Sequence, residues 1–306
     1  MLIINWSKTY KNLFIMVAIP LLFFNTCGNR NELPEIEIDK GTETQTKTYL
    51  NDGNVLSVAI ATMLSPKETF SLYEELLRYI EEKAGYKIKL KQRRTYREVN
   101  EMLREGKLDF ALVCSGAYIA GRKEFNLKLL VAPVVDGKTY YRAYIIVNKS
   151  SPIKNISDLK DKSFAFTDPL SNTGYNYVIK LLKDKNTSPE EFFNHTIFTY
   201  AHDNSIQAVS RNLVDGASVD GLVYDYLKKK SPDRVEKIKI IHKSEWFGIP
   251  PFVYVPGRNN TLISQIQKIL VEMHEDEKGK EILKDLSIDK FVIVNRTIYE
   301  GIEIFD

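Results

Sequence analysis

The run Thr167-Asp168-Pro169-Leu170-Ser171-Asn172-Thr173-Gly174 joins an apolar segment, Ser163 to Phe166, to a helical one. Helix starts leave backbone N–H groups without intrahelical acceptors and carry partial positive charge, so they suit anions. Ser171 and Thr173 add hydroxyl donors there, Asn172 an amide, and Gly174 lets a backbone approach closely. The same residues fit a plain N-cap, so the turn alone does not choose between the two readings. His202, in Tyr200-Ala201-His202-Asp203-Asn204, stands at a second strand-to-helix turn, where an imidazole N–H could donate to an anionic oxygen or serve a structural bond. This is chemistry for holding an oxyanion. The chain has no G-x-S-x-G, H-E-x-x-H or P-loop pattern. Its two cysteines and four histidines are too scattered for a metal site.

Alternating elements must position these turns. Val55–Ala61 reads as a buried strand, Thr69–Ala84 as a helix closed by Gly85, Tyr86–Leu90 as a strand, Tyr96–Arg104 as a helix closed by Gly106, and Leu108–Cys114 as a strand. Lys128–Val134 and Tyr140–Asn148 follow as strands. A second β-α-β-α-β unit comes next: Ser163–Phe166, Gly174–Lys183, Thr196–Tyr200, Asn204–Leu213 and Ala217–Val223. Lys237–His242 and Pro251–Val255 are further strands, and Leu262–Met273 and Gly279–Leu286 are helices. Such alternation predicts α/β lobes with largely parallel sheets and a ligand cleft outside the carboxyl ends of the strands. Those ends are Thr62–Ser65, Ser115–Tyr118, Thr167–Thr173, Ala201–Asn204 and Val219–Asp225. Trp246 to Pro251 reads as a return crossing between lobes, and Lys228-Lys229-Lys230 as a solvated face.

The amino terminus reads as a targeting segment. Lys8 and Lys11 precede an apolar run, Leu13 to Phe24, too short for an ordinary membrane span. Cys27 follows directly and resembles the acylated cysteine of a bacterial lipobox, although Phe24 and Thr26 depart from the usual residues. Cleavage at another site and an uncleaved anchor are the alternatives. Residues 1–27 are therefore expected to be a signal peptide, with Cys27 lipidated and Cys114 a lone buried thiol. Residues 28–54 are polar and expected to be a flexible tether. A net charge of +3 from 43 basic and 40 acidic residues gives no basis for a nucleic-acid partner.

Across residues 55–286 the chain resembles the phosphate/phosphite/phosphonate substrate-binding proteins of ABC transporters. Tyr96-Arg97-Glu98-Val99, Gly106-Lys107-Leu108-Asp109-Phe110-Ala111, Ser115-Gly116-Ala117-Tyr118 and Asn148-Lys149-Ser150-Ser151-Pro152-Ile153 carry the resemblance. So do Asp158-Leu159-Lys160-Asp161-Lys162, Asp168-Pro169 with Ser171-Asn172-Thr173-Gly174, His202, and Asp215-Gly216-Ala217-Ser218-Val219-Asp220. The resemblance implies a two-lobed type II periplasmic-binding-protein fold, each lobe a sheet flanked by helices. Lobe 1 is expected at 55–145 and 246–306, and lobe 2 at 146–245. Ser171, Asn172, Thr173, Gly174 and His202 are then expected to hold the phosphorus-bound oxygens, with Ser65, Ser115 and Tyr118 contributing from the first lobe.

Members taking aminoalkyl phosphonates use an acidic residue where this chain has Leu222. Asp220 is the candidate ligand-facing carboxylate, accepting a proton of the anion and so rejecting sulfate; a simple turn residue beside Gly221 is the other reading. Implied partners are a small phosphorus oxyanion, an ABC permease and, through the lipid, the outer face of a membrane; a monomer without cofactor is expected. The same module could instead sense the ligand for a membrane signalling protein. An enzyme on this fold is the remote alternative.

Overall fold

The computed structural model describes residues 36–37, 55–61, 63–257 and 260–305. The expected signal peptide, Cys27, most of the expected tether and Thr62 lie outside the described residues. Within 28–54 the described element is a strand, β1 (Ile36–Glu37), paired antiparallel to β3 below, where a tether alone was expected.

The first stretch runs β2 (Val55–Ile60), α1 (Pro66–Ala84), β3 (Lys87–Lys91), α2 (Tyr96–Arg104), β4 (Phe110–Leu112), α3 (Ser115–Phe125) and β5 (Lys128–Val134). A short strand β6 (Tyr140–Tyr141) leads into β7 (Ala143–Asn148), β8 (Ser163–Phe166), α4 (Tyr177–Lys183), α5 (Pro189–Phe192), β9 (His195–Phe198), α6 (His202–Ser210), β10 (Gly216–Asp220), α7 (Gly221–Lys230) and β11 (Ile238–Lys243). The chain returns through β12 (Phe247–Gly248) and β13 (Phe252–Tyr254), then α8 (Asn260–Glu272), α9 (Glu277–Leu286) and β14 (Lys290–Val292).

Among the described residues, one sheet has the order β1-β3-β2-β4-β13-β5-β14 and another β11-β7-β10-β8-β9. β2 is parallel to β3 and β4, and β8 is parallel to β9 and β10, as the alternating pattern requires. β13 and β14 join the first sheet antiparallel, and β7 and β11 the second. The two-stranded pair β6–β12 carries the crossings between the sheets. The fold is therefore the two-lobed α/β architecture expected, each lobe organised on one sheet. β7 lies wholly in the second sheet and begins at Ala143, ahead of the 146 at which the sequence placed the second lobe.

Local chemistry explains most elements. α1 starts at Pro66, at the N-terminal position that tolerates proline, and ends at Gly85 with φ 75°. α2 is opened by a capping box between Thr95 and Glu98. Buried faces such as Val58, Ile60, Phe110 and Phe252 fill the first sheet, and Phe164, Ala165, Ala217 and Val219 the second.

Three helices were not legible in the sequence: α3, the four-residue α5, and α7. α3 contains Gly116 and Gly121, which lower helix propensity. Both are needed for close approach: a Cβ on Gly121 would stand 2.8 Å from Leu127. α7 continues a strand whose last residue, Asp220, caps it by accepting the Leu222 N–H at 2.7 Å. Lys228, Lys229 and Lys230 fall in its last turn, where the helix dipole favours cations. No helix among the described residues is long and apolar enough to cross a membrane.

Candidate functional site

The lobes meet along the carboxyl ends of β2, β4, β8, β9 and β10. Hydrogen bonds that cross between them at these ends include His202 N to Met63 O at 2.9 Å, Ser65 N to Asp203 Oδ1 at 2.8 Å, and Tyr96 N to Asp168 Oδ2 at 3.0 Å. At the edge, Arg234 pairs with Asp203 at 3.2 Å and with Glu68 at 3.4 Å.

The turn after β8 is tighter than a simple helix start. Ser171 Oγ accepts the Gly174 N–H at 3.0 Å, so the N-cap reading holds for Ser171. Residues Asn172–Asn176 then form a single π turn before α4. Such turns recur at functional sites because they aim side chains differently from an α turn. Asn176 secures it by donating to Pro169 O and Ser171 O. Gly174 is required: a Cβ there would lie 2.6 Å from Thr167 Oγ1 and 2.9 Å from Ser171 Oγ.

Thr167 links the two turns. Its hydroxyl lies 3.1 Å from His202 Nδ1 and against Gly174. Tyr200 enters the second turn at φ 59°, a left-handed conformation that costs a non-glycine residue about 1 kcal/mol. His202 is fully buried, and its Nδ1 accepts the Asp220 N–H at 3.0 Å. A backbone N–H can only donate, so Nδ1 carries the lone pair and the ring proton sits on Nε2. Burial lowers the His202 pKa to about 3, which keeps the ring neutral.

Three buried donors in this region find no acceptor among the described residues: Asn172 Nδ2, Thr173 Oγ1 and His202 Nε2. Tyr96 Oη, from the first lobe, is a fourth. Buried polar groups are ordinarily satisfied, so a cluster of unpaired donors is costly unless something accepts from it. Tyr141 Oη donates to or accepts from Ser115 Oγ at 2.6 Å. Burial, then the neighbouring Cys114 and Asp220, hold the Tyr141 phenol well above its ordinary pKa, and the neighbouring Asn172 side chain pulls it down slightly. Burial dominates the upward shift at Tyr96 too. Both phenols therefore stay protonated and able to donate. The Cys114 thiol is free and buried, which pushes its pKa up, and lies against the Asn172 and Gly116 N–H groups. A buried, protonated thiol makes a poor nucleophile.

The structure thus brings together Ser115, Ser171, Asn172, Thr173, Gly174, His202 and Asp220. The backbone N–H of Ser65 donates to Asp203 across the contact between lobes. Tyr118 packs edge-on against Tyr299, ring centroids 4.8 Å apart, with Arg122 and Arg296 as its charged neighbours. The aromatics of the site are Tyr96 and Tyr141. Sequence reasoning missed both, along with Thr167. Only the position of Tyr96 directly after a capping threonine marked it as fixed in orientation.

Asp220 is buried, and burial raises its pKa to about 7. Its pH behaviour opposes that of His202. The unfolded chain takes up the histidine proton near the ordinary 6.5, the folded one only near 3, so this group's contribution is lost as pH falls through that window. The folded Asp220 keeps its proton up to about 7 against an ordinary 3.8, so its contribution is lost as pH rises between those values. The two slopes offset each other from about pH 4 to 6.5, at about 1.4 kcal/mol per pH unit each. In the Asp220→Asn variant only the histidine slope remains. Urea denaturation should then show stability rising by up to about 3 kcal/mol from pH 4 to 6.5. A profile parallel to that of the parent chain would contradict the assignment.

The fold and the site together define a class: a two-lobed binding protein of the type II periplasmic kind, with buried hydrogen-bond donors where its lobes meet. Residues 58–299 match the family described as ABC transporter, phosphonate, periplasmic substrate-binding protein, and the chain belongs to that family. It is 27% identical over 215 residues to the phosphonates-binding periplasmic protein of Escherichia coli K12; the match takes in 69% of this chain and spans 63% of that protein's length. A binding-protein component of an ABC phosphonate transporter from Pseudomonas aeruginosa has the same fold, with TM-score 0.74, 22% identity, and coverage of 78% of this chain and 81% of the other. PhnD1 of Prochlorococcus marinus, solved in complex with methylphosphonate, superposes with TM-score 0.74 at 16% identity, covering 81% of this chain and 96% of the other.

Proposed function

We propose that the chain is an extracytoplasmic receptor that binds a small phosphorus oxyanion between its lobes and delivers it to an ABC permease. Cys27 would hold it to the membrane through a lipid. The observation that supports this reading most directly is the set of buried, unpaired donors on Asn172, Thr173, His202 and Tyr96. Four such donors, three from one lobe and one from the other, would suit the several oxygens of one tetrahedral anion, and a ligand contacting both lobes favours the form in which they meet. The neutral Nε2–H of His202 donates without needing a charge. Asp220 is the group that would distinguish ligands: in its ionised form it only accepts, so it can take the proton of a hydrogen phosphate or hydrogen phosphonate, whereas sulfate offers none.

The test is thermal unfolding with phosphate, phosphite, methylphosphonate and sulfate. A true ligand at one hundred times its dissociation constant should add about 2.7 kcal/mol of stability, and sulfate should add nothing measurable. Equal stabilisation by all four anions would remove the selectivity assigned to Asp220. No stabilisation by any phosphorus anion would remove the receptor reading.

A further inference from the structure

We infer that residues 303–305 are a positioning strap for the turn after β8: the Phe305 backbone N–H fixes the Asn176 side chain, and through it the direction in which Asn172 and Thr173 present their donors. This rests on the receptor reading above for the ligand and adds the segment that holds the ligand's turn in shape.

Beyond β14 the chain leaves the first sheet. Arg296–Tyr299 form a single 3-10 turn, and the Tyr299 hydroxyl donates to Ile249 O at 2.9 Å. A Cβ on Gly248, in β12, would stand 2.6 Å from Ile298 O, so this turn is seated against the crossing pair. The residues that follow run onto the second lobe. Glu303 lies 3.6 Å from Lys180, and Lys183 Nζ lies 3.9 Å from the centre of the Phe305 ring; both lysines belong to α4. Ile304 Cδ1 stands 3.3 Å from where a Cβ on Gly116 would be, beside Leu170 O and Asn172 N. The strap thus enters the contact at which α3 of the first lobe meets the turn of the second.

The bond that matters runs from backbone to side chain. Phe305 N donates to Asn176 Oδ1 at 2.9 Å, while Asn176 Nδ2 donates to Pro169 O at 3.2 Å and to Ser171 O at 3.1 Å. Two carbonyls on one side and one N–H on the other admit a single orientation of the amide. Asn176 is buried, so a lost partner is not replaced cheaply by water. Ser171 O and Asn172 N lie in one rigid peptide plane. Holding that carbonyl therefore holds the plane from which Asn172 and Thr173 extend, and with it their unpaired donors. The Glu303–Lys180 pair is exposed and contributes little beside this bond.

Phe305→Pro deletes the N–H, whereas Phe305→Leu keeps it and removes only the ring. Calorimetry on the full-length chain with methylphosphonate and with phosphate should show Phe305→Pro binding about tenfold more weakly, because a buried acceptor loses its donor. Phe305→Leu should bind like the parent. Hydrogen exchange without added anion gives a second readout. The amides of Gly174, Tyr175 and Asn176, which bond to Ser171, should exchange about tenfold faster in Phe305→Pro and unchanged in Phe305→Leu. Parental affinity in Phe305→Pro would overturn the strap, and so would an equal loss in both variants, which would assign the effect to ring packing. Unaltered exchange at these amides in Phe305→Pro would overturn it whichever anion binds. Were the parent chain to bind neither anion, the receptor reading would fall, and the exchange comparison would still decide the strap.

Discussion

Asn172→Asp is expected to abolish oxyanion binding, with affinity falling by at least about 1,000-fold. The substitution keeps the shape of the side chain and replaces a buried, unpaired N–H donor by a carboxylate oxygen. Two losses combine. A hydrogen bond to a charged group is worth about 1.5–3 kcal/mol. A like charge facing the ligand costs several kcal/mol more. Thr173→Val removes only the hydroxyl donor and should cost about 10- to 100-fold, by the first of these effects alone. Because Thr173 Oγ1 has no partner among the described residues, the valine variant should fold at least as stably as the parent. Titration calorimetry of both variants provides the check. Retention of near-parental affinity by Asn172→Asp would show that the amide does not face the ligand.

Gly116→Ala should weaken binding by about 10- to 100-fold through a different route. Gly116 stands in the first turn of α3 in the first lobe, and an added Cβ would lie 2.2 Å from Leu170 O and 3.0 Å from Asn172 N in the second. Both obstacles are backbone atoms and cannot rotate away. Such overpacking costs about 1–3 kcal/mol, and it is imposed only where the lobes touch. Alanine also raises helix propensity by up to about 1 kcal/mol. Thermal stability without ligand should therefore hold or rise while affinity falls, because the binding-competent arrangement becomes less populated. Small-angle scattering would report the same change as a failure of added ligand to reduce the radius of gyration. A parallel loss of stability and affinity would instead mean that Gly116 matters for folding alone.

The alternation of strands and helices was legible from hydrophobic period, because that period is a local property of the chain. So were the two strand-to-helix turns, since glycine, hydroxyl and amide residues at a helix start announce themselves over a few positions. His202 and Ser171 to Gly174 could be picked out as candidates on that basis, and the family resemblance supplied the ligand role expected of them. Asp220 could be named, but not its role as a helix cap. α3 was hidden because its glycines serve contacts with other parts of the chain, and propensity counts them as helix breakers.

What the sequence by itself determined is the class of fold and the polar, strand-to-helix character of two turns, each encoded within about ten residues. What the tertiary structure decided is which aromatics join them. Tyr96 approaches through a bond spanning 72 positions to Asp168, and Tyr141 through Ser115, 26 positions away, while Tyr118 turns instead to Tyr299. Aromatic residues look alike in a sequence. Which of them faces a cleft depends on how two separately formed lobes come together, and that is limited by steric fit at contacts such as Gly116 against Leu170 and Asn172 rather than by any local pattern.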